Sequence, residues 1–224
     1  MTTGIKPHFS FVDKKLNSDL NFLIERFIKK CSSLNKKSSF LTSRITECDV
    51  KLLKQALNLS LFPDSPSHLN KYHFKWHDCF ALGSENIRLL DSDFKVCDWN
   101  YSLEGTIDYL VSINDATYCV MVKQEDDNKI EEIEREGGKR KDVVEIMSNM
   151  WLAEIKNSLL IYSGNSRHCF ISIEANSRVL NAVRDKCTSL CNYKMLGKMP
   201  EKPYKTESSE CLCCSFKKEC WNGN

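Results

Sequence analysis

Cys211, Cys214 and Cys220 stand in the spacing C-x-x-C-x5-C, inside the run from Glu210 to Trp221. Two thiols three residues apart reach one metal centre through a tight turn, and a third close by commits the segment to folding around that centre. Three such ligands need a fourth. Cys48, in Ser43-Arg44-Ile45-Thr46-Glu47-Cys48 at the start of an expected helix, is the candidate. One ligand from the N-terminal region and three from the tail would staple the two ends of a domain together. Tetrahedral zinc and an iron–sulfur cluster both accept four thiolates, so the spacing leaves the metal open. The competing reading is a set of idle or buried thiols.

The other cysteines read differently. There are twelve in 224 residues. The N-terminal run Met1 to His8 has no apolar core of a signal peptide, and no apolar stretch approaches the ~18 residues of a membrane span. The expectation is a soluble cytoplasmic protein with no membrane partner, where disulfides are rare and cysteines serve as ligands or small buried hydrophobes. Cys187 and Cys191, one helical turn apart, and Cys79, Cys97, Cys119 and Cys169, in or near strands, are read as packing residues. Cys213 is a spectator between ligands.

Hydrophobic residues make up 42% of the chain, enough for one sizeable core. The formal net charge is +2, so any nucleic-acid surface must be a local patch. Residues 1–40 read as a lead-in, loose at first, then helical on the stripe Leu20, Leu23, Ile24, Phe27, Ile28 and Cys31. Residues 41–224 read as a single compact unit. A helix is expected over 43–59. From Asn86 to Gln124 the period falls to two, giving strands at Ile87–Leu90, Phe94–Cys97, Thr106–Ile113 and Thr117–Lys123, with Asn114-Asp115 as a hairpin turn. The highly charged stretch 125–141 is expected to be a solvated loop or frayed helix. A helix over Asp142–Lys156, strands at Ser158–Tyr162 and His168–Ile173, a helix over Ser177–Cys191 and a cysteine-bearing loop tail follow. This order predicts an α/β fold, a mixed central sheet flanked by helices.

Gly105-Thr106-Ile107-Asp108 lies on one strand of the hairpin and Met121-Val122-Lys123 on the next. An acid and a lysine converging at one end of a sheet can hold magnesium and steady an attacking water or a developing phosphate charge.

Taken with the cysteines, this arrangement resembles the RecB-like nucleases of the PD-(D/E)XK type that carry a C-terminal four-cysteine cluster, among them the CRISPR-associated four-cysteine exonucleases, the AddB nuclease domain and phage exonucleases. The resemblance spans roughly residues 40–221 by order and spacing. In that family a first cysteine follows a Ser-led helix start, here Ser43 and Cys48. G-x-x-D follows, here Gly105 and Asp108. E-x-K aligns with Met121 and Lys123, and Q-x-x-x-Y with Glu145 and Asn149. The final C-x-x-C-x5-C matches Cys211, Cys214 and Cys220. The resemblance implies a restriction-endonuclease-like core, a 4Fe-4S cluster on the four cysteines (zinc being the alternative), and magnesium or manganese at Asp108, with Lys123 steadying the water or the developing phosphate charge. The tail from Pro200 to Pro203, ahead of the cysteines and Trp221, looks like the phage versions and implies the cytoplasm of an infected bacterium.

Two departures bear on chemistry. Met121 stands where the family has a glutamate, and a thioether is a poor ligand for hard magnesium or manganese. Neither residue of Q-x-x-x-Y is kept. Substitute acids are Glu145, Glu125 and Glu85, and His77 is a further metal-site candidate. Lys139, Arg140, Lys141 and Arg44 are candidate phosphate contacts, and Trp151 a candidate base-stacking platform. Three functions follow. The first is a degenerate family member that binds single-stranded DNA or junctions and serves replication, recombination or transcription machinery. The second is an active metal-dependent single-stranded DNA exonuclease with a migrated acid, and the third a structural subunit of a larger complex.

Overall fold

A two-residue loop builds the centre of the molecule. Asn114 and Asp115 both take positive φ, 49° and 63°, the backbone that a tight hairpin with native twist requires. They join β4 (Leu103–Ile113) to β5 (Ala116–Gln124) with Ile113 opposite Ala116. The computed structural model describes residues 9–11, 40–57, 71–205, 207–212, 214 and 216–221. The amphipathic stripe from Leu20 to Cys31 lies outside them.

Seven strands form one mixed sheet. The path runs β1 (Phe9–Phe11), β7 (His168–Ile173), β6 (Asn157–Ser163), β5, β4 and β2 (Phe40–Leu41), with β3 (Ile87–Asp98) antiparallel beside β4. β5 and β6 are parallel, joined by a crossover that carries two helices; the other long ladders are antiparallel. Phe9–Phe11, read as loose lead-in, adds a strand against Ile171–Ile173.

The helices lie on both faces. On one face α2 (Lys71–Leu82) packs Trp76, Cys79 and Phe80 on Tyr109, Val111, Val120, Val122, Leu159 and Ile161. On the other, α3 (Asp127–Glu136) and α4 (Arg140–Ala153) pack on Met121, Leu160 and Tyr162. α1 (Asp49–Leu57) and α5 (Ser177–Leu196) share a third apolar cluster, Leu52, Leu53 and Ala56 against Val183, Cys187 and Leu190. This is the mixed sheet flanked by helices that the element order predicts.

Several elements differ from the sequence reading. The two strands expected at Ile87–Leu90 and Phe94–Cys97 are one strand of twelve residues, whose register slips between Leu89 and Asp91. An inserted residue there breaks the alternation and hides the continuity. Of the two forms expected for the charged stretch after Glu125, the structure shows the helix, anchored rather than frayed. Ile130 and Ile133 recur at helical spacing and are buried, so α3 is a helix with one anchored stripe and a charged solvent face, ended by Gly137 in the left-handed conformation. The helix expected over 43–59 begins at Asp49, after a 3-10 turn at Thr42–Arg44, so Cys48 precedes it. α2 has no counterpart in the sequence reading. α5 runs five residues beyond Cys191 to Leu196, and the tail holds two short helices, α6 (Ser209–Leu212) and α7 (Lys217–Trp221).

Gly105 is where the 3-10 turn and α4 meet β4. A Cβ there would fall 2.6 Å from Thr42 Oγ1 and collide with Asn149 Oδ1, groups that hydrogen-bond each other at 2.8 Å directly over the strand. Gly105→Ala is expected to destabilise the fold by about 1–3 kcal/mol, the usual cost of forcing atoms into a filled site; the urea midpoint of the variant against the parent measures it.

Candidate active site and cysteine cavity

The ladder between β4 and β5 is in register from Ile113 back to Tyr109 and no further. Beyond it β4 takes β2 as parallel neighbour at Leu103 and Glu104. Where the strands part, the amide of Val122 has lost its ladder carbonyl. Asp108 supplies the acceptor: its Oδ2 receives the Val122 N–H at 2.7 Å. The carboxylate is thereby fixed at the fork, on the opposite side of β4 from its neighbour Tyr109.

Lys123 follows Val122 and turns to the α4 face. Its Nζ donates to Glu145 Oε2 at 2.7 Å. Asp142 and Glu145 are three residues apart on α4 and so share a helix face. Asp142 is buried and accepts the Tyr162 hydroxyl proton at 2.9 Å. The Tyr162 oxygen in turn accepts the backbone N–H of Lys139 at 2.8 Å. Burial and the Asp142 charge hold Tyr162 far above the usual phenol range, so it remains a donor at any physiological pH.

The charges are unequal. Burial works to lower the Lys123 pKa, but the charge and hydrogen bond of Glu145, joined by Asp108 and Asp142, overcome it and hold the ammonium above the usual lysine range. Burial raises the Glu145 pKa, Lys123 opposes it, and Asp108 and Asp142 add to the rise. One cation serves three acids, and for Glu145 burial outweighs it.

Met121 precedes Lys123 by two residues on β5. It is 1% exposed and packs against Ile146 and Met147 of α4. The Asn149 amide donates to its sulfur at 3.4 Å and to the Thr106 carbonyl at 3.1 Å. Glu145 and Asn149 therefore hold Lys123 and Met121 respectively.

Asp108, Lys123 and Glu145 come together as the sequence reading expects. The other acids do not. Glu125 lies past the end of β5 and pairs with Lys139. Glu85 is exposed and precedes Ile87, which pairs with Ile113, so it stands at the far end of β4 from Asp108. His77 lies on α2, its ring 6.3 Å from that of Tyr109 and its Nδ1 3.4 Å from Asp78 Oδ1, on the opposite face of the sheet. Asp142 was missed, although the Asp142-x-x-Glu145 spacing marks a shared face. Tyr162 lies in an apolar strand with no local signal.

Of the basic candidates, Arg140 and Lys141 are exposed at the start of α4, whereas Lys139 is half-buried with Glu125. Arg44 ends the 3-10 turn and is half-buried. Trp151 is not an open stacking platform: Tyr101 meets it edge-on at 5.2 Å and the Arg184 guanidinium lies 4.7 Å over its ring.

Cys48, Cys211, Cys214 and Cys220 all line one cavity of about 240 Å³, and none is in a disulfide. Lys51, Lys202, Lys217 and Trp221 share its wall, and the Lys202 ammonium lies 4.6 Å over the Trp221 ring. Burial raises the Cys220 thiol pKa; Lys54 lowers it, and Cys214 and Cys48 raise it again, which marks the thiols as neighbours. Among the described residues no three His, Cys, Asp or Glu side chains converge closely enough to hold a single metal ion. Cys187 is a core thiol that burial pushes up to about 12, and Cys191 donates weakly to the Tyr101 carbonyl, so neither lines the cavity. Cys79, Cys119 and Cys169 are buried packing residues; Cys97, read as one, is exposed.

No family model and no curated protein matches the chain. Solved structures do. An alkaline exonuclease from Laribacter hongkongensis superposes with a TM-score of 0.56 at 10% identity, covering 71% of this chain and 89% of that one. Its complex with dAMP gives 0.53 at the same identity and coverage. The crystal structure of SSO0001 gives 0.54 at 13% identity, over 92% of this chain and 98% of that one. The chain thus has a nuclease-like fold. Among the described residues no helix is long and apolar enough to cross a membrane.

Glu145 carries a signed expectation. An acid whose pKa is raised by folding stabilises the native state fully below its unfolded value, ~4.3 for glutamate, and that contribution is lost as pH rises through the higher native value. The urea midpoint of the parent should therefore fall across that window relative to Glu145→Gln, and a flat difference between the two curves would contradict the assignment. Lys123→Met strands the three acids and is expected to cost about 3 kcal/mol at neutral pH, less in acid, by the same measurement.

Proposed function

We propose that this chain is a nuclease-fold DNA-binding protein with a degenerate catalytic centre, held together by a four-cysteine iron–sulfur cluster. It binds single-stranded DNA or junctions and serves replication, recombination or transcription machinery. The observation that carries the reading is Met121. Its sulfur sits in the core under the Asn149 amide, where the resembled family has a metal-binding glutamate. Lys123, which in an active site would steady charge on the reacting phosphate, is already neutralised by Glu145. Arg140 and Lys141 remain exposed at the same end of α4 and supply phosphate contacts.

The donor set fits a cluster. Four free thiols from two distant parts of the chain line one cavity. Tetrahedral zinc, with Zn–S near 2.3 Å, needs its sulfurs about 3.8 Å apart. Thiolates on the separate irons of a cluster stand wider, and the resemblance favours the cluster. The cluster would join the Cys48 turn to the C-terminal tail. Free thiols accord with a cytoplasmic location.

One arrangement favours a second reading, an active magnesium- or manganese-dependent exonuclease. Asp108, Asp142 and Glu145 all act on Lys123, so an acid has moved from strand to helix.

Protein purified without oxygen, incubated with labelled single-stranded DNA and manganese beside an Asp108→Ala variant, separates these readings. The expected result is retention without cleavage by either protein, with binding that weakens steeply as salt rises, because phosphate contacts release counterions. Cleavage lost in the variant would make the chain an active nuclease. With neither cleavage nor retention, the DNA readings fall and a structural subunit remains.

A further inference from the structure

Cys48 has no secondary structure of its own to hold it. It follows a 3-10 turn and precedes α1, and its carbonyl accepts the Leu52 N–H at 3.0 Å as the first bond of that helix. The main chain on either side is gripped from elsewhere. Lys186, on α5, donates to the Glu47 carbonyl at 2.6 Å and pairs with Asp49 Oδ1 at 2.9 Å. A single ammonium thus holds the residue before Cys48 and the residue after it, from 139 positions away in the first case.

The helix that carries Lys186 matters as much as the contacts. α5 ends at Gly197, and the chain leading from it bears Cys211, Cys214 and Cys220. The same helix packs Val183, Cys187 and Leu190 against Leu52, Leu53 and Ala56 of α1. α5 is therefore tied to both halves of the cysteine cavity. The apolar cluster fixes the distance between α1 and α5 and takes in Ile45, three residues before Cys48. The two polar contacts of Lys186 grip the main chain on either side of Cys48 itself. The Lys186 side chain is 24% exposed, so water competes less for its contacts than at an open surface.

We infer that Lys186 is a positioning residue for the cysteine-bound metal centre, setting the Cys48 sulfur against the three tail sulfurs. The inference rests on the cluster proposed above. Groups that orient a ligand without touching the metal typically govern metal retention by 10–100-fold. Lysine suits the task because its ammonium has three donors, two of which reach different acceptors here. Arginine keeps the charge and adds donors. Methionine keeps the stem and removes both contacts.

The test uses the full chain, reconstituted anaerobically with iron and sulfide. Bound iron and zinc are counted, and the rate of iron release to a chelator is followed, for the parent, Lys186→Met, Lys186→Arg and Asp49→Asn. Expected are release at least about tenfold faster from Lys186→Met, near-parent release from Lys186→Arg, and an intermediate rate from Asp49→Asn, which loses the ion pair and keeps the carbonyl contact. Far-UV circular dichroism of the metal-free proteins establishes folding. If Lys186→Met fails to fold, Asp49→Asn decides, and parent-like release from it overturns the inference. A folded Lys186→Met that releases iron at the parent's rate overturns it too, leaving the cluster intact. A parent that binds zinc and no iron overturns the iron–sulfur reading; the zinc release rates of the same variants then decide whether Lys186 positions Cys48. A parent that binds neither metal overturns both.

Discussion

The hydrogen bond from the Val122 amide to Asp108 sits where the sheet forks, and the centre of the molecule is arranged around it. β4 cannot pair with β5 along its whole length, because β2 takes its flank at Leu103. A buried amide left without an acceptor at that fork would cost as much as a lost hydrogen bond. Asp108 removes that cost at 2.7 Å and in doing so aims its carboxylate at the α4 face. The role is structural before it is chemical, so the acid has a reason to stay whether or not the site turns over.

The neighbouring positions form a packed polar and apolar network between β4, β5 and α4. Met121 contributes volume, Asn149 holds both its sulfur and the Thr106 carbonyl, and Thr42 closes the network from the 3-10 turn. Gly105 lets that network lie flat on β4. Lys123 keeps its charge through Glu145 on the helix. A lone ammonium buried among apolar side chains would shed its proton; one among three acids holds it more tightly than in water.

Much of this was legible in the residues. Period-two alternation gave β4, β5 and their Asn114-Asp115 turn, and Cys48 with the C-x-x-C-x5-C tail gave the lining of the cavity. The errors have physical causes. The bulge near Leu90 cut one strand into two. Two isoleucines among ten residues, most of them charged, were too faint to reveal α3. His77, Glu85 and Glu125 were plausible as acids or ligands by sequence position, yet a strand face, the end of a ladder and a lysine partner each take one of them away from Asp108.

Local chemistry determined the elements, because a strand's alternation, a hairpin's left-handed pair and a cysteine spacing each act over a few residues. It determined equally that Met121 could not serve magnesium. Which acids lie beside Lys123 was decided only in three dimensions. Asp142, Glu145 and Lys123 meet because α4 lies across β5, and Lys186 reaches both sides of Cys48 because α5 lies across α1. Contacts over such separations depend on the packing of whole helices on a sheet, and no window of sequence contains that packing.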